Sequence, residues 1–181
     1  MIEILDQVIL DWFQMIQGPL LTPLMKVVTT LGEGGVIWIL FGLLLLIRKS
    51  TRKEGAVVLL ALIFCLFTGN ILLKNIIARP RPCWRNPEVE MLIAIPKDYS
   101  FPSGHTMSSF AAATGIFLWN KKWGMAALVL AVLTSLSRLY FYVHYPTDVL
   151  AGMLIGIALA FIAREIVNRG VQRKQQKEME K

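Results

Sequence analysis

The stretch Ser137-Arg138-Leu139-Tyr140-Phe141-Tyr142-Val143-His144-Tyr145-Pro146-Thr147-Asp148 lies between two long apolar segments and carries a guanidinium, an imidazole and a carboxylate. Charged groups at the end of a membrane helix are costly, so their presence indicates a function. Asp148 can accept the Nδ1–H of His144, which fixes the ring tautomer and leaves Nε2 free to attack an electrophile. Arg138, six positions before the histidine, can hold an anion in front of that nitrogen. The alternative is a snorkelling arginine, an interfacial histidine and an aspartate at a helix start.

The composition indicates an integral membrane protein. The 181 residues suit one domain, and 55% of them are hydrophobic while only 17% are charged. Residues 55–73 contain no charged side chain and would form about 28 Å of helix at ~1.5 Å per residue. The net charge of +7 is concentrated beside apolar segments, in residues 48–53, 121–122 and 164–181. Such clusters are typical of cytoplasmic loops facing anionic lipid, and no aromatic-basic motif indicates a nucleic-acid partner.

The apolar segments predict an all-α integral membrane protein with about five transmembrane helices, near residues 31–47, 55–77, 101–120, 123–142 and 146–162. Before them, residues 2–16 repeat apolar side chains at helical spacing, which predicts an amphipathic helix lying in the membrane interface. Residues 20–31 contain Pro23 and Lys26, and we expect a short interfacial or re-entrant helix there that is not counted as a span. Residues 1–170 would form a single domain, with residues 1–31 as interfacial helices and residues 171–181 as a basic cytoplasmic tail.

The basic clusters also predict the orientation of the chain in a plasma membrane. If they lie in the cytoplasm, the N-terminal helices and residues 78–100 lie outside and the C-terminus lies inside. The chemically capable side chains then fall together at the outer membrane level, namely Lys74, Arg81, His105, Arg138, His144 and Asp148. Because these side chains fall at one membrane level, the sequence favours a single outward-facing site over separate membrane-edge anchors.

Lys74 and Arg81 form a second candidate group, at the end of the second predicted span. Pro80 and Pro82 stop the helix and leave Arg81 on an extended turn that can point back over Lys74. The alternative is a set of basic anchors at the membrane edge, an interpretation that also covers Arg79 and Arg85.

The stretch Phe101-Pro102-Ser103-Gly104-His105 opens the third predicted span. At a helix start the free amides point towards an incoming anion, and Gly104 lets the backbone approach it closely. The Ser103 hydroxyl adds a donor, and the His105 ring can act as an acid. The alternative is a capped helix with a surface histidine. The chain has only two histidines, and each lies in one of these candidate stretches.

In order and spacing, these stretches resemble the three-part signature of the type 2 phosphatidic acid phosphatase superfamily, through Lys74 with Arg81-Pro82, Pro102-Ser103-Gly104-His105, and Ser137-Arg138 with His144 and Asp148. The resemblance implies an all-helical membrane bundle and a metal-independent phosphatase that forms a phosphohistidine intermediate without a cofactor. The short chain with interfacial N-terminal helices is similar to the small bacterial undecaprenyl diphosphate phosphatases.

The expected mechanism follows from charge. His144 attacks phosphorus in line, Asp148 stabilises the developing imidazolium, and His105 protonates the leaving oxygen and later takes a proton from water. The nonbridging oxygens are held by the amides near Ser103 and Gly104 and by the cations Lys74, Arg81 and Arg138. We expect no metal, because these cations already neutralise the phosphate and the sequence has no carboxylate cluster suited to magnesium.

The expected substrate is a lipid phosphate, because the site lies at headgroup level. Undecaprenyl diphosphate is preferred, with phosphatidylglycerophosphate or phosphatidic acid as alternatives. The sequence does not distinguish these lipids, because the side chains expected to contact the tail are generic Leu, Ile, Val and Phe. A non-catalytic protein that binds anionic lipid would have no use for the His144 and Asp148 pair. Vanadium haloperoxidases share the anion pocket but are soluble. The sequence does not indicate an oligomeric state.

Overall fold

A computed structural model describes residues 1–180, and this range contains helices and connecting segments but no strand. The helices are α1 (Ile2–Met15), α2 (Leu21–Leu31), α3 (Val36–Ile47), α4 (Arg52–Cys65), α5 (Lys74–Ile77), α6 (Pro82–Arg85), α7 (Gly104–Trp119), α8 (Lys121–Tyr140) and α9 (Pro146–Met179). A 3₁₀ turn at Glu33–Gly35 joins α2 to α3, and a π-helical stretch at Leu66–Leu73 joins α4 to α5. The predicted all-helical membrane architecture is confirmed.

Helix α7 forms the centre of the bundle and packs against α4, α8 and α9. Residues 111–113 of α7 are alanines with no solvent exposure, and small side chains of this kind let membrane helices approach closely. At Gly156 of α9 an added Cβ would lie only 2.3 Å from the carbonyl oxygen of Met107. The helices that carry His105 and Asp148 are therefore held in direct backbone contact.

The structure contains fewer long apolar helices than the five predicted spans. Within residues 1–180, three helical stretches are long and apolar enough to cross a membrane, namely Arg52–Arg85 (α4 to α6), Lys121–Tyr140 (α8) and Pro146–Met179 (α9). The pair Leu21–Leu31 and Glu33–Ile47, bent by 40°, would make a fourth. Helix α7 has 16 residues, whereas a span needs about 20.

A bend between α2 and α3 lies at the start of the predicted first span. Gly34 and Gly35 have φ angles of 57° and 69°, a left-handed conformation that interrupts the helix. Residues 20–31, which the sequence analysis kept apart as an interfacial segment, continue across this bend into α3.

Helix α9 extends well beyond residue 162, where the fifth predicted span ends. Its second half is rich in helix-forming side chains and includes ion pairs one turn apart, Arg169 with Glu165 at 2.6 Å and Lys174 with Glu178 at 3.9 Å. Most of the predicted basic tail is therefore helical, and its last residue, Lys181, lies outside the described residues.

Helix α1 has apolar side chains on both its buried and its exposed face, and one carboxylate on the buried face. Asp6, Leu10 and Phe13 are buried against the bundle. The exposed side chains are mostly apolar and include Ile2, Ile4, Leu5, Val8, Trp12 and Met15. Apolar side chains on the exposed face suit contact with lipid, and the interfacial position of α1 stays a prediction.

Candidate active site

His144 and Asp148 lie on either side of the start of α9. Pro146 occupies the first helical position, and Asp148, two positions later, accepts the backbone N–H of Tyr145 at 2.9 Å. Both side chains are buried, and His144 Nδ1 lies 3.6 Å from Asp148 Oδ2, which is ion-pair distance but longer than a hydrogen bond. The Ser100 hydroxyl donates to the same Oδ2 and lies 3.4 Å from Nδ1. The Nδ1 edge of the imidazole therefore faces the carboxylate.

The Nε2 edge of His144 faces a guanidinium. Arg81 Nη1 lies 3.1 Å from Nε2 and donates to the Val143 carbonyl at 2.7 Å. Arg138, in the last turn of α8, is also buried and donates through Nη1 to the Thr29 hydroxyl, while its Nε has no hydrogen-bond partner in residues 1–180. Donors of this kind, close to a nitrogen with a free electron pair, are suited to the oxygens of a phosphate.

Burial lowers the pKa of His144 well below its ordinary value, and the charges of Arg81, Arg138 and Lys74 lower it further. The ring is consequently neutral near pH 7, as a nitrogen nucleophile must be. Because Arg81 is a permanent donor, Nε2 accepts and the ring proton resides on Nδ1.

Asp98 belongs to the site, although the sequence analysis did not identify it. Its carboxylate pairs with Lys74 Nζ and with Arg81 Nη2, the latter at 2.6 Å, and its carbonyl accepts from Arg81 Nε at 2.7 Å. Burial raises the pKa of Asp98, but the hydrogen bond and charge of Lys74, together with Arg81, bring it down to about 2. A lone aspartate in a polar loop has no spacing that marks it, so only the structure reveals this anion between two cations.

Most of the predicted site residues line one polar cavity of about 390 Å³, namely Lys74, Arg81, Gly104, His105, Arg138 and His144. Asp148 and Ser103 lie behind it. The Ser103 amide, which we expected to face an anion, donates to the Asp148 carbonyl at 3.1 Å, and its hydroxyl accepts from Thr106 at 3.0 Å. Ser103 thus links α7 to α9. It does not line the cavity, whereas the next residue, Gly104, does.

A second cavity of about 570 Å³ adjoins the first and is mainly apolar. Its walls come from α3, α4 and the π-helical stretch, with Ile39, Leu59, Leu62, Ile63 and Leu66 among the lining residues. The two cavities share lining residues that include Lys74, Asp98 and His105. An apolar compartment therefore opens directly onto a cationic one. No three His, Cys, Asp or Glu side chains within residues 1–180 are grouped as metal ligands.

Arg79, interpreted from the sequence as a membrane-edge anchor, points into the protein instead. Its Nη1 donates to Asp148 Oδ1 at 2.6 Å, and its Nη2 donates to Asp6 Oδ2 at 2.7 Å. Arg85 does have the character of an edge residue, since its side chain is more than half exposed and lies 4.0 Å from Glu3. The roles of Asp6 and Arg79 were not predictable from the sequence, because their partners are distant in the chain.

Known proteins resemble this chain in sequence and in fold. The PAP2 superfamily pattern matches residues 54–171. The undecaprenyl-diphosphatase of Sulfolobus acidocaldarius is 36% identical over 140 residues, which cover 76% of this chain and 67% of that protein. LpxE of Aquifex aeolicus has a TM-score of 0.79 at 28% identity and covers 89% of this chain and 95% of its own. A transmembrane PAP2-type phosphatidylglycerolphosphate phosphatase from Bacillus subtilis has a TM-score of 0.76 at 27% identity. The match covers 92% of this chain and 86% of the Bacillus subtilis chain. This chain therefore belongs to the PAP2 superfamily and is a membrane lipid phosphatase.

Proposed function

We propose that the protein removes the terminal phosphate of a lipid diphosphate through a covalent phosphohistidine at His144. The observation that carries the proposal is the 3.1 Å contact between Arg81 Nη1 and His144 Nε2. A phosphate bound by Arg81, Lys74 and Arg138 would have its phosphorus in front of a neutral nitrogen nucleophile. The reaction then needs only an in-line attack and a proton for the leaving group.

In the first step the Nε2 electron pair forms a bond to phosphorus, and the bond from phosphorus to the bridging oxygen breaks. That oxygen keeps the bonding pair and takes a proton from His105, which matters most when the leaving group is an alkoxide, the conjugate base of a weak acid. The cations that line the cavity disfavour a protonated His105, and the charge of the anionic substrate offsets them when it binds. The phosphorylated His144 ring is a cation whose Nδ1–H faces Asp148 Oδ2, so the carboxylate stabilises it.

In the second step water attacks phosphorus while His105 accepts its proton. The P–N bond breaks, its electron pair returns to Nε2, and inorganic phosphate leaves. The cations of the cavity bind the nonbridging oxygens in both steps, and we propose that no metal ion takes part.

The substrate class is supported by the two adjoining cavities. The polar cavity suits phosphate groups, and the apolar cavity along α3 and α4 suits the first part of a long hydrocarbon tail. We propose undecaprenyl diphosphate as the preferred substrate, which is also the substrate named for the Sulfolobus acidocaldarius relative. Phosphatidylglycerophosphate or phosphatidic acid is the alternative, and the Bacillus subtilis structure named for the former favours it. We place the site at the outer leaflet and the C-terminus in the cytoplasm, because the basic clusters adjoin the opposite helix ends.

The proposal is tested by phosphate release from purified protein in mixed micelles, with undecaprenyl diphosphate, undecaprenyl phosphate, phosphatidylglycerophosphate and phosphatidic acid compared at equal surface concentration. We expect the highest kcat/KM for undecaprenyl diphosphate and no release by His144→Ala. A higher kcat/KM for either glycerolipid would contradict the substrate, and release that His144→Ala retains would contradict the mechanism.

A further inference from the structure

The N-terminal helix α1 reaches the catalytic carboxylate through one arginine. We propose that Asp6 and Arg79 are positioning residues that hold Asp148 for catalysis, so that α1 belongs to the catalytic machinery as well as to the membrane interface. This inference rests on the proposed function, in which Asp148 stabilises the phosphorylated His144.

Arg79 connects the two carboxylates with separate nitrogens. Its Nη1 donates to Asp148 Oδ1 at 2.6 Å and to the Thr147 hydroxyl at 2.7 Å, while Nη2 donates to Asp6 Oδ2 at 2.7 Å. The guanidinium carbon of Arg79 lies 3.9 Å from the centroid of the Tyr145 ring, and this stacking contact fixes the plane of the guanidinium. Lysine could not reproduce this geometry, because only a guanidinium presents donors in two directions from a rigid plane.

Asp6 attaches α1 to the same turn that carries the catalytic carboxylate. Its Oδ1 accepts the Thr147 backbone N–H at 3.0 Å, and its Oδ2 accepts the Thr147 hydroxyl at 2.6 Å. The side chain is only 2% exposed, so an unpaired charge here would be costly. Thr147 lies in the first turn of α9, where the helix dipole favours a negative group. Asp6 thus fixes both Arg79 and the start of α9.

The two oxygens of Asp148 consequently have different tasks. Oδ1 is bound by Arg79, whereas Oδ2 accepts from the Tyr145 amide and the Ser100 hydroxyl and faces His144. With Oδ1 held, the carboxylate cannot rotate freely about its last torsion, and Oδ2 stays directed at the imidazole. Loss of Arg79 would leave Oδ1 of the buried carboxylate without its donor, so that only the Tyr145 amide and the Ser100 hydroxyl would then orient Asp148.

The test compares Arg79→Gln and Asp6→Asn in two backgrounds, wild type and Asp148→Asn, with the lipid phosphate that wild type hydrolyses fastest. In the wild-type background we expect kcat to fall about 10- to 100-fold, the loss that is typical when the hydrogen-bonding partner behind a metal-ligating side chain is removed. KM and the vanadate inhibition constant should stay unchanged, because the cations of the polar cavity are untouched. In the Asp148→Asn background neither substitution should reduce kcat further, because the effect passes through that carboxylate.

The matched controls are Arg85→Gln and Glu3→Gln, which remove the exposed contact between the same two segments. We expect both to keep the kcat of wild type. An equal kcat loss in these controls, or equal fold losses from Arg79→Gln and Asp6→Asn in both backgrounds, would overturn the inference and leave only a structural role. If Arg79→Gln does not fold, as judged by its melting temperature, the nearly isosteric Asp6→Asn decides the question. Failure of the proposed function is distinguishable, since wild type itself would then release no phosphate from any lipid tested.

Discussion

Arg81 Nη1 lies 3.1 Å from His144 Nε2, so a group expected to bind phosphate already contacts the nitrogen expected to attack it. The same guanidinium donates to Asp98 through Nη2 at 2.6 Å. Arg81 is therefore shared between the proposed nucleophile and a carboxylate of the protein, and a phosphate that binds in the cavity must compete with that carboxylate.

Asp98→Asn should strengthen inhibition by inorganic phosphate and by vanadate. The substitution removes the anion that pairs with Lys74 and Arg81 and leaves both cations to the ligand. The measurement is the inhibition constant of each anion with a fixed lipid substrate. Glu90→Gln is the control, because it removes an equal charge from an exposed position in the same loop. Weaker inhibition in Asp98→Asn alone would mean that Asp98 chiefly organises the cations.

The ion pairs of Asp98 should contribute the same amount to the stability of the fold throughout the range from about pH 5 to 8. The pKa of this carboxyl in the folded protein is about 2, below its ordinary value of 3.8, so its contribution is present above that ordinary value and is lost as pH falls towards 2. The difference in melting temperature between wild type and Asp98→Asn should accordingly stay constant from about pH 5 to 8. A difference that disappears already within this range would contradict the ion pairing.

The His144 ring should stay neutral through the physiological range. Burial and the surrounding cations place its pKa well below the ordinary value, so protonation requires a pH far below neutrality. The ¹³Cε1 resonance of labelled histidine measures this directly, because the chain has only two histidines and His144→Ala assigns the signal. We expect no titration of this signal between about pH 6 and 8, whereas a midpoint near the ordinary value of about 6.5 would contradict the geometry.

Chelation should leave turnover intact, while vanadate should inhibit it. Lys74, Arg81 and Arg138 line the polar cavity and can neutralise the transferred phosphoryl group, and vanadate adopts the five-coordinate geometry of its transition state. Phosphate release is measured after exhaustive EDTA treatment, with and without added magnesium. Activity that disappears on chelation and returns with magnesium would contradict the cationic mechanism.

His105→Ala should damage the hydrolysis of a lipid monophosphate far more than that of a diphosphate. A monophosphate expels an alkoxide, which needs a proton in the transition state, whereas a diphosphate expels a phosphate monoester that needs less help. The extra loss should approach the value of general-acid assistance, about 10²- to 10⁴-fold. The measurement is kcat/KM for both lipids with identical tails. Equal losses would mean that His105 positions phosphate or water rather than donating the proton.

The helical membrane class and the grouping of the motif residues were predictable from the sequence, because both depend on patterns local to the chain. Long apolar segments indicate helices, and the motif of residues 137–148 brings His144 and Asp148 together within one helical start. The number of long apolar helices was not predictable in this way. It depends on the bend at Gly34 and Gly35 and on the burial of the short helix α7 inside the bundle.

The residues that escaped the sequence analysis all make contacts between distant parts of the chain. Asp6 is 141 positions from Thr147, and Arg79 is 69 positions from Asp148. Neither pair has a spacing that marks it, and a charged residue beside an apolar segment is ordinarily a membrane-edge anchor. The role of Asp98 was also not predictable from its spacing. Asp98 lies between Lys74 and Arg81 only because residues 86–100 fold over the cavity.

The most direct test of the central claim is to isolate the covalent intermediate. Lipid diphosphate labelled in its terminal phosphate is mixed with enzyme, and the reaction is stopped within one turnover in alkaline denaturant, since a P–N bond is labile to acid. We predict label on His144, located by peptide mass spectrometry, released by acid and absent from His144→Ala. Turnover by wild type without covalent label, or label on another side chain, would contradict the account.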